Sequence, residues 1–387
     1  MTYAQTNDIE RTATEFRIQS NNDSGFNWIL GAFKETNEKV TDVDYLQPGS
    51  TNPIFWEADL VRKGDIDAIF GEAYFDLSEK TSLTMGLRKY DQTMDLKASD
   101  GYYGSYAFGI NSLDFNSSET GSIPKLSISH DISDDIMVYG SYSEGFRPSG
   151  VNRPRPSQAG LIPETYDPDY LDSYEIGVKS SLKDGRLILN GALYKMDWTD
   201  YQTSTYDTDI TSVAYTENVG NAEINGMELN LMYAISDTAD MTLYVNKMDP
   251  TLSEDYYYTS GELGADAGNR LAYMPELTYY LSFDKDFVFM GKPAYMNIDY
   301  SHTGERYTTY ENGGILLPSY SMSNLRAGVD NDNSSIELYV TNLFDKDAYL
   351  SRYDDFESVG SSGYSGFGIR RTGSKPRVIG IRIRYRY

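Results

Sequence analysis

The chain has 387 residues, 40% of them hydrophobic, with 35 tyrosines, 33 glycines and no cysteine. Its formal net charge of −25 argues against a nucleic-acid partner, because phosphates need a basic face. No apolar run of about 18 residues exists, which excludes a transmembrane helix, and the Tyr and Gly excess suits strands, membrane-interface aromatics and tight turns.

The opening Met1-Thr-Tyr-Ala-Gln-Thr-Asn-Asp-Ile-Glu10 has no basic segment, apolar segment or small-residue cleavage site, so it is not a secretory signal. Period-2 patterning then predicts strands at 12–20, 26–38, 66–77, 81–97, 119–131, 135–147, 170–182, 186–204 and 213–235. It continues at 240–249, 271–284, 293–304, 317–330, 334–344 and 374–387. Ile69, Ala73, Phe75 and Leu77 share one side of their segment, opposite Glu72, Tyr74 and Asp76. Tyr174, Ile176 and Val178 oppose Glu175 and Lys179 in the same way. Successive strand side chains point to opposite faces, so each segment presents one apolar and one polar side.

Short connections, such as Ser78-Glu-Lys80, Ser133-Asp-Asp135 and Lys183-Asp-Gly185, are built from hairpin-turn residues. The Asp284–Lys292 connection reads as a little longer. Between them lie long polar stretches at 39–65, 98–118, 148–169, 250–270, 305–316 and 345–373. Short turns on one rim and long loops on the other are the layout of an outer-membrane barrel. No composition break divides residues 1–387, which predicts one domain. In the closing strand Ile379, Ile381, Ile383, Tyr385 and Tyr387 alternate with Gly380, Arg382, Arg384 and Arg386. That apolar, aromatic-ended row is read as a barrel-assembly signal for the assembly machinery. The expectation is an all-β, antiparallel transmembrane β-barrel. About fifteen strands are counted, whereas bacterial single-chain barrels have an even number. A missing front would explain both the odd count and the absent export signal.

Several stretches together carry a family resemblance. Val138-Tyr-Gly-Ser-Tyr-Ser-Glu-Gly-Phe-Arg147, Asp172-Ser-Tyr-Glu-Ile-Gly-Val-Lys179 and Asn218-Val-Gly-Asn-Ala-Glu-Ile-Asn-Gly-Met-Glu-Leu229 are three of them. Asn269-Arg-Leu-Ala-Tyr-Met-Pro-Glu276, Tyr339-Val-Thr-Asn-Leu-Phe-Asp-Lys346 and Lys375-Pro-Arg377 complete the set. In this order they resemble the blocks of TonB-dependent outer-membrane receptors, with Ala272 in place of a usual proline. The resemblance implies a 22-stranded barrel whose lumen holds an amino-terminal plug gripped by TonB. Neither the plug nor about seven of those strands is seen in the sequence. The implied activity is uptake of a scarce nutrient, such as a ferric siderophore, in the outer membrane of a Gram-negative bacterium. Lipid and lipopolysaccharide would surround the wall.

The substrate is expected to meet outer-loop aromatics, Tyr102, Tyr103, Tyr106 and Phe108 in one cluster and Tyr256, Tyr257 and Tyr258 in another. Arg147, Arg153 and Arg155 are candidates for an anionic ferric chelate. The competing reading is loop packing for the tyrosines and loop salt bridges for the arginines. His130 and His302 lack any metal-ligand spacing, and no nucleophile motif or phosphate loop appears. No cofactor, metal site or enzymatic activity is therefore expected. Inward carboxylates such as Glu175 and Glu228 are read as plug or water contacts. The alternatives are a passive porin of about sixteen strands and a secreted adhesive β-protein.

Overall fold

The computed structural model describes residues 2–23, 25–46, 49, 54–102, 109–152, 162–205, 215–258, 261–331, 333–354 and 369–385. Among them there is no helix, and fifteen strands form one antiparallel sheet in strict chain order. These strands are Thr2–Gln19, Phe26–Leu46, Ile54–Ser78, Thr81–Tyr102, Gly109–Ser133, Ile136–Arg147, Asp169–Leu182 and Leu187–Thr199. Ala222–Ser236, Ala239–Leu252, Leu277–Phe289, Lys292–Thr303, Tyr320–Asn331, Ser334–Thr341 and Val378–Tyr385 follow. Each has one counterpart among the fifteen expected segments.

Strand pairing sorts the side chains into two continuous faces. Phe26, Phe75, Leu83, Ile128, Gly140, Ile176, Leu193 and Met227 are successive cross-strand partners over eight strands. A second row runs Met241, Phe283, Ile298, Leu325, Val340 and Ile379. Direct partners project to the same side of a sheet, so these rows make one apolar band. Its side chains are exposed: Ile176 by 62%, Leu193 by 56% and Ile381 by 68%. An exposed apolar band of this kind is the lipid face of a membrane barrel. The oily rows do not meet one another across a dry interior.

The opposite face is polar and more closely packed. On it a tyrosine repeatedly leans over a glycine of the adjacent strand: Tyr90 over Gly121, Tyr139 over Gly177, Tyr194 over Gly226, Tyr295 over Gly328 and Tyr339 over Gly380. A Cβ built on Gly177 would stand 2.6 Å from the Tyr139 hydroxyl, so the missing side chain is what lets the ring lie flat on the wall. The hydroxyls then reach polar groups farther along, as Tyr139 does to Glu175 at 2.5 Å and Tyr295 to Glu337 at 2.6 Å. Glu175 and Glu228 both lie on this lumen face, as expected. His130 and His302 instead lie on the lipid side, bonded to Thr81 and Ser321 at 2.9 Å each.

Three expectations are corrected. Much of 39–65 and 98–118 is strand rather than loop: Phe26–Leu46, Ile54–Ser78, Thr81–Tyr102 and Gly109–Ser133 continue far above the apolar band. At about 3.3 Å per residue, 25 residues span roughly 80 Å, whereas a bilayer needs only 9–11 residues. The Asp284–Lys292 connection is a two-residue turn at Met290–Gly291, with φ of 50° and 77°, the hairpin geometry that matches strand twist. The 186–204 and 213–235 segments each break at a corner. Beyond the corners, Gln202–Thr205 and Tyr215–Asn218 form a separate small hairpin.

Candidate ligand-binding vestibule

Beyond the long-loop rim, the connections are fastened to one another rather than standing alone. Five two-stranded sheets sit in them: Gly150–Val151 with Thr165–Tyr166, Gln202–Thr205 with Tyr215–Asn218, Tyr256–Tyr257 with Leu263–Ala265, Arg306–Tyr307 with Leu316–Leu317, and Tyr349–Asp354 with Ile369–Gly373. Bonds cross from each to the next. Asn152 Nδ2 donates to the Thr216 carbonyl at 2.7 Å and the Asn312 amide to the Gly264 carbonyl at 2.7 Å. Arg306 donates to the Leu350 carbonyl at 2.7 Å.

Asp169 is the main polar joint. Its side chain is 1% exposed and accepts from the Arg147 guanidinium, Trp198 Nε1 at 2.9 Å and the Gln202 amide at 3.0 Å. Arg147 also donates to the Gln202 carbonyl at 2.6 Å and lies over the Trp198 ring at 5.0 Å. A buried carboxylate is tolerated only when so many donors replace its water. The structure thus engages the Arg147 side chain in tying two outer loops to the wall.

Tyr256 is likewise an internal residue. It is buried with Val219, Leu252, Ala265, Leu271 and Tyr310 in an apolar core shared by three loops, and Tyr258 packs against that core. The Tyr256 hydroxyl donates to the buried Glu217, while Thr205 and Tyr310 share a hydrogen bond at 2.8 Å. Burial, followed by the Glu217 carboxylate, pushes the Tyr256 phenol well above its ordinary pKa. Of this expected cluster, Tyr257 alone is largely open, at 56%. Tyr102 ends its strand, paired with Trp56 and Gly109. Tyr103, Tyr106, Phe108, Arg153, Arg155 and the terminal Tyr387 lie outside the described residues.

Three of the sequence blocks singled out above hold corners, while Val138–Arg147 and Asp172–Lys179 lie within wall strands. Asn342 adopts φ 51°, donates to the Lys346 and Lys375 carbonyls at 2.9 Å each, and accepts from the Lys346 amide at 2.8 Å. Asp345 accepts from the Arg377 amide at 2.8 Å. Asn218 binds both the amide and carbonyl of Asp167, and Gly220 beyond it has φ 92°. Asn tolerates the left-handed region better than most residues, and Gly occupies it freely. These motifs therefore fix where a wall strand turns into a loop.

Sequence reasoning missed the surface that the long early strands create. Above the apolar band, their lumen side carries Val43, Tyr45, Trp56, Ala58, Leu60, Leu96 and Ala98. Leu96, Ala98 and Leu113 are buried there against Val151 of the next outer loop. A hollow of about 280 Å³ opens on this side, and Tyr45 meets Trp56 edge-on at 5.5 Å and 73°. The other side of the same strands is charged, with Lys63–Glu38 and Lys97–Asp114 ion pairs. The signal was available: within 56–62, Trp56, Ala58 and Leu60 alternate with Glu57, Asp59 and Val61. Among the described residues no group of three or more His, Asp or Glu side chains is placed to hold a metal ion.

Comparison with known proteins supplies the lineage. Residues 2–343 match the family model described as TonB dependent receptor-like, beta-barrel. The chain is 23% identical over 336 residues to the metal-pseudopaline receptor CntO of Pseudomonas aeruginosa, covering 84% of this chain and 44% of that protein. It is 25% identical over 234 residues to the ferrichrome outer membrane transporter/phage receptor of Escherichia coli, covering 57% and 28%. The ferric yersiniabactin uptake receptor FyuA of Yersinia pestis has a similar fold, with TM-score 0.79, 16% identity, and coverage of 99% and 55%. The chain belongs to the TonB-dependent receptor β-barrel family, and its fifteen strands are outer-membrane wall. It spans about half the length, or less, of these relatives.

Proposed function

We propose that this chain forms the wall and outer vestibule of a receptor that takes up a scarce iron complex, such as a ferric siderophore, across the outer membrane. The proposal includes energy coupling by TonB through a plug, assembly by the barrel machinery, and lipopolysaccharide as neighbour. The relatives named for ferrichrome and metal-pseudopaline favour this cargo class. The supporting observation is the change of character along the wall: a polar lumen at bilayer level gives way above it to a hollow lined by Tyr45, Trp56 and aliphatic side chains, with Val151 of an outer loop packed beside it. A receptor needs such a place to hold cargo before translocation, while a diffusion pore does not. Aromatic and apolar walls with a few placed polar groups are the usual makeup of small-molecule sites. The barrel's contribution is capture and passage, with no bond made or broken by it.

Uptake of radiolabelled ferric chelates by iron-starved cells tests this. Cells with the gene encoding this chain intact should accumulate label, and disruption of the gene or of TonB should abolish it. Accumulation that persists without TonB sinks the proposal.

A further inference from the structure

We propose that Lys39 and Arg62 form a charge-selective anion subsite at the base of the vestibule hollow, so that the cargo is a negatively charged chelate rather than a neutral one. This rests on the receptor reading above. The two side chains are direct cross-strand partners on the lumen side. Like charges placed opposite one another destabilise a sheet, and both cations are exposed to the hollow they line.

Neighbouring carboxylates do not relieve them. Among the described residues, the ion pairs of these strands include Arg11–Glu35, Arg17–Glu15, Lys34–Asp67, Lys63–Glu38, Lys125–Glu72 and Lys97–Asp114, and none of these takes up Lys39 or Arg62. Glu35, the nearest acid below them on the same side, is held by Arg11 at 2.6 Å. Asp100, the carboxylate lining the hollow, lies four residues beyond Leu96, the cross-strand partner of Arg62, or about 13 Å at strand rise. Lys63, Asp59 and Asp95 of the same strands project to the opposite side.

Next to the cations the hollow turns apolar. Leu60 and Leu96 flank them, the small Val43, Ala58 and Ala98 leave the space, and Trp56 with Tyr45 closes the far end. An anionic chelate bearing flat rings satisfies both parts, with charge-assisted hydrogen bonds at one end and ring contacts at the other. Because the chain as a whole carries −25, long-range attraction does not bring such a ligand in. The local pair supplies the selectivity.

The test uses the whole chain refolded in detergent, titrated with a trianionic ferric tris-catecholate and with a neutral ferric tris-hydroxamate, binding being read by equilibrium dialysis. Lys39→Gln with Arg62→Gln should weaken the trianionic chelate about tenfold or more, and leave any binding of the neutral one within about twofold. The swap Lys39→Arg with Arg62→Lys retains both charges and should keep most of the affinity. Far-UV circular dichroism confirms that each variant folds, and a swap that loses as much affinity as the double Gln variant overturns the charge argument. Trianionic binding that the double Gln variant leaves unchanged overturns the inference alone. If neither chelate binds the parent chain, both the inference and the receptor reading fail.

Discussion

The strands crossing the bilayer and the same strands above it obey one alternation with opposite sign. At bilayer level Ile128, Ile176 and Leu193 face outward and Glu175 with Tyr194 faces the lumen. Higher up, Asp42, Asp59 and Ser99 share the outer side, while Trp56, Leu60 and Leu96 turn inward. Nothing in the backbone changes between the two levels; the solvent outside does, from hydrocarbon to water. A strand face is apolar where it meets lipid or packed protein, so polarity reports surroundings and not direction.

The largest effect is expected at the joint that fastens the upper level. Asp169→Ala removes the acceptor of Trp198 Nε1, the Gln202 amide and the half-exposed Arg147 guanidinium, a loss of about 3–5 kcal/mol carried mainly by the two stranded donors. Outer-loop cleavage by protease in folded, detergent-solubilised chain should rise sharply, while strand content holds. Unchanged cleavage would show that the roof does not depend on this carboxylate.

Next comes the sign reversal itself. Ile128→Arg places a cation on the lipid side and should cost about 2–4 kcal/mol in lipid vesicles. Val61→Arg, on the same side but among Glu38, Lys63 and Lys97, should stay within about 0.5 kcal/mol. Urea unfolding of both variants in vesicles reads the contrast. Equal costs would mean that the upper strands also touch hydrocarbon.

A smaller loss follows from the lumen wall. Gly177→Ala pushes Tyr139 off its seat and away from Glu175, at about 1–3 kcal/mol for overpacking. The same urea measurement applies, and Tyr139→Phe separates the lost hydroxyl from the displaced ring.

How far the sequence could be read follows from these contrasts. The fifteen crossing strands were legible because lipid imposes a strict apolar row on each. The upward extensions resemble solvated loop because dense charges such as Asp42, Asp44, Glu57 and Asp59 mask the short inward row of Trp56, Ala58 and Leu60 between them. The corner residues Asn218 and Asn342 were recognised as motifs, but their work as joints became visible only with their partners. Arg147 illustrates the remaining gap. Its partner Asp169 lies 22 residues away and Gln202 lies 55 away, and no local pattern distinguishes such a tie from a ligand contact.

The smallest effect tests the charged outer side of the upper level. Asp59 stands directly opposite Asp42, and its pKa is raised first by partial burial, then by Glu57 and Asp42. The unfolded carboxyl titrates near 3.9, so above that range the charged form is less favourable in the folded chain. This penalty is fully present at neutral pH and is relieved as pH falls through the raised value towards about 4. Asp59→Asn should therefore stabilise the folded chain at pH 7, and because Asp59 is exposed to screening water the gain is a few tenths of a kcal/mol. Near pH 4 the gain should vanish, and at neutral pH added salt should shrink it. A gain that grows on acidification would place Asp59 beside a cation rather than among carboxylates.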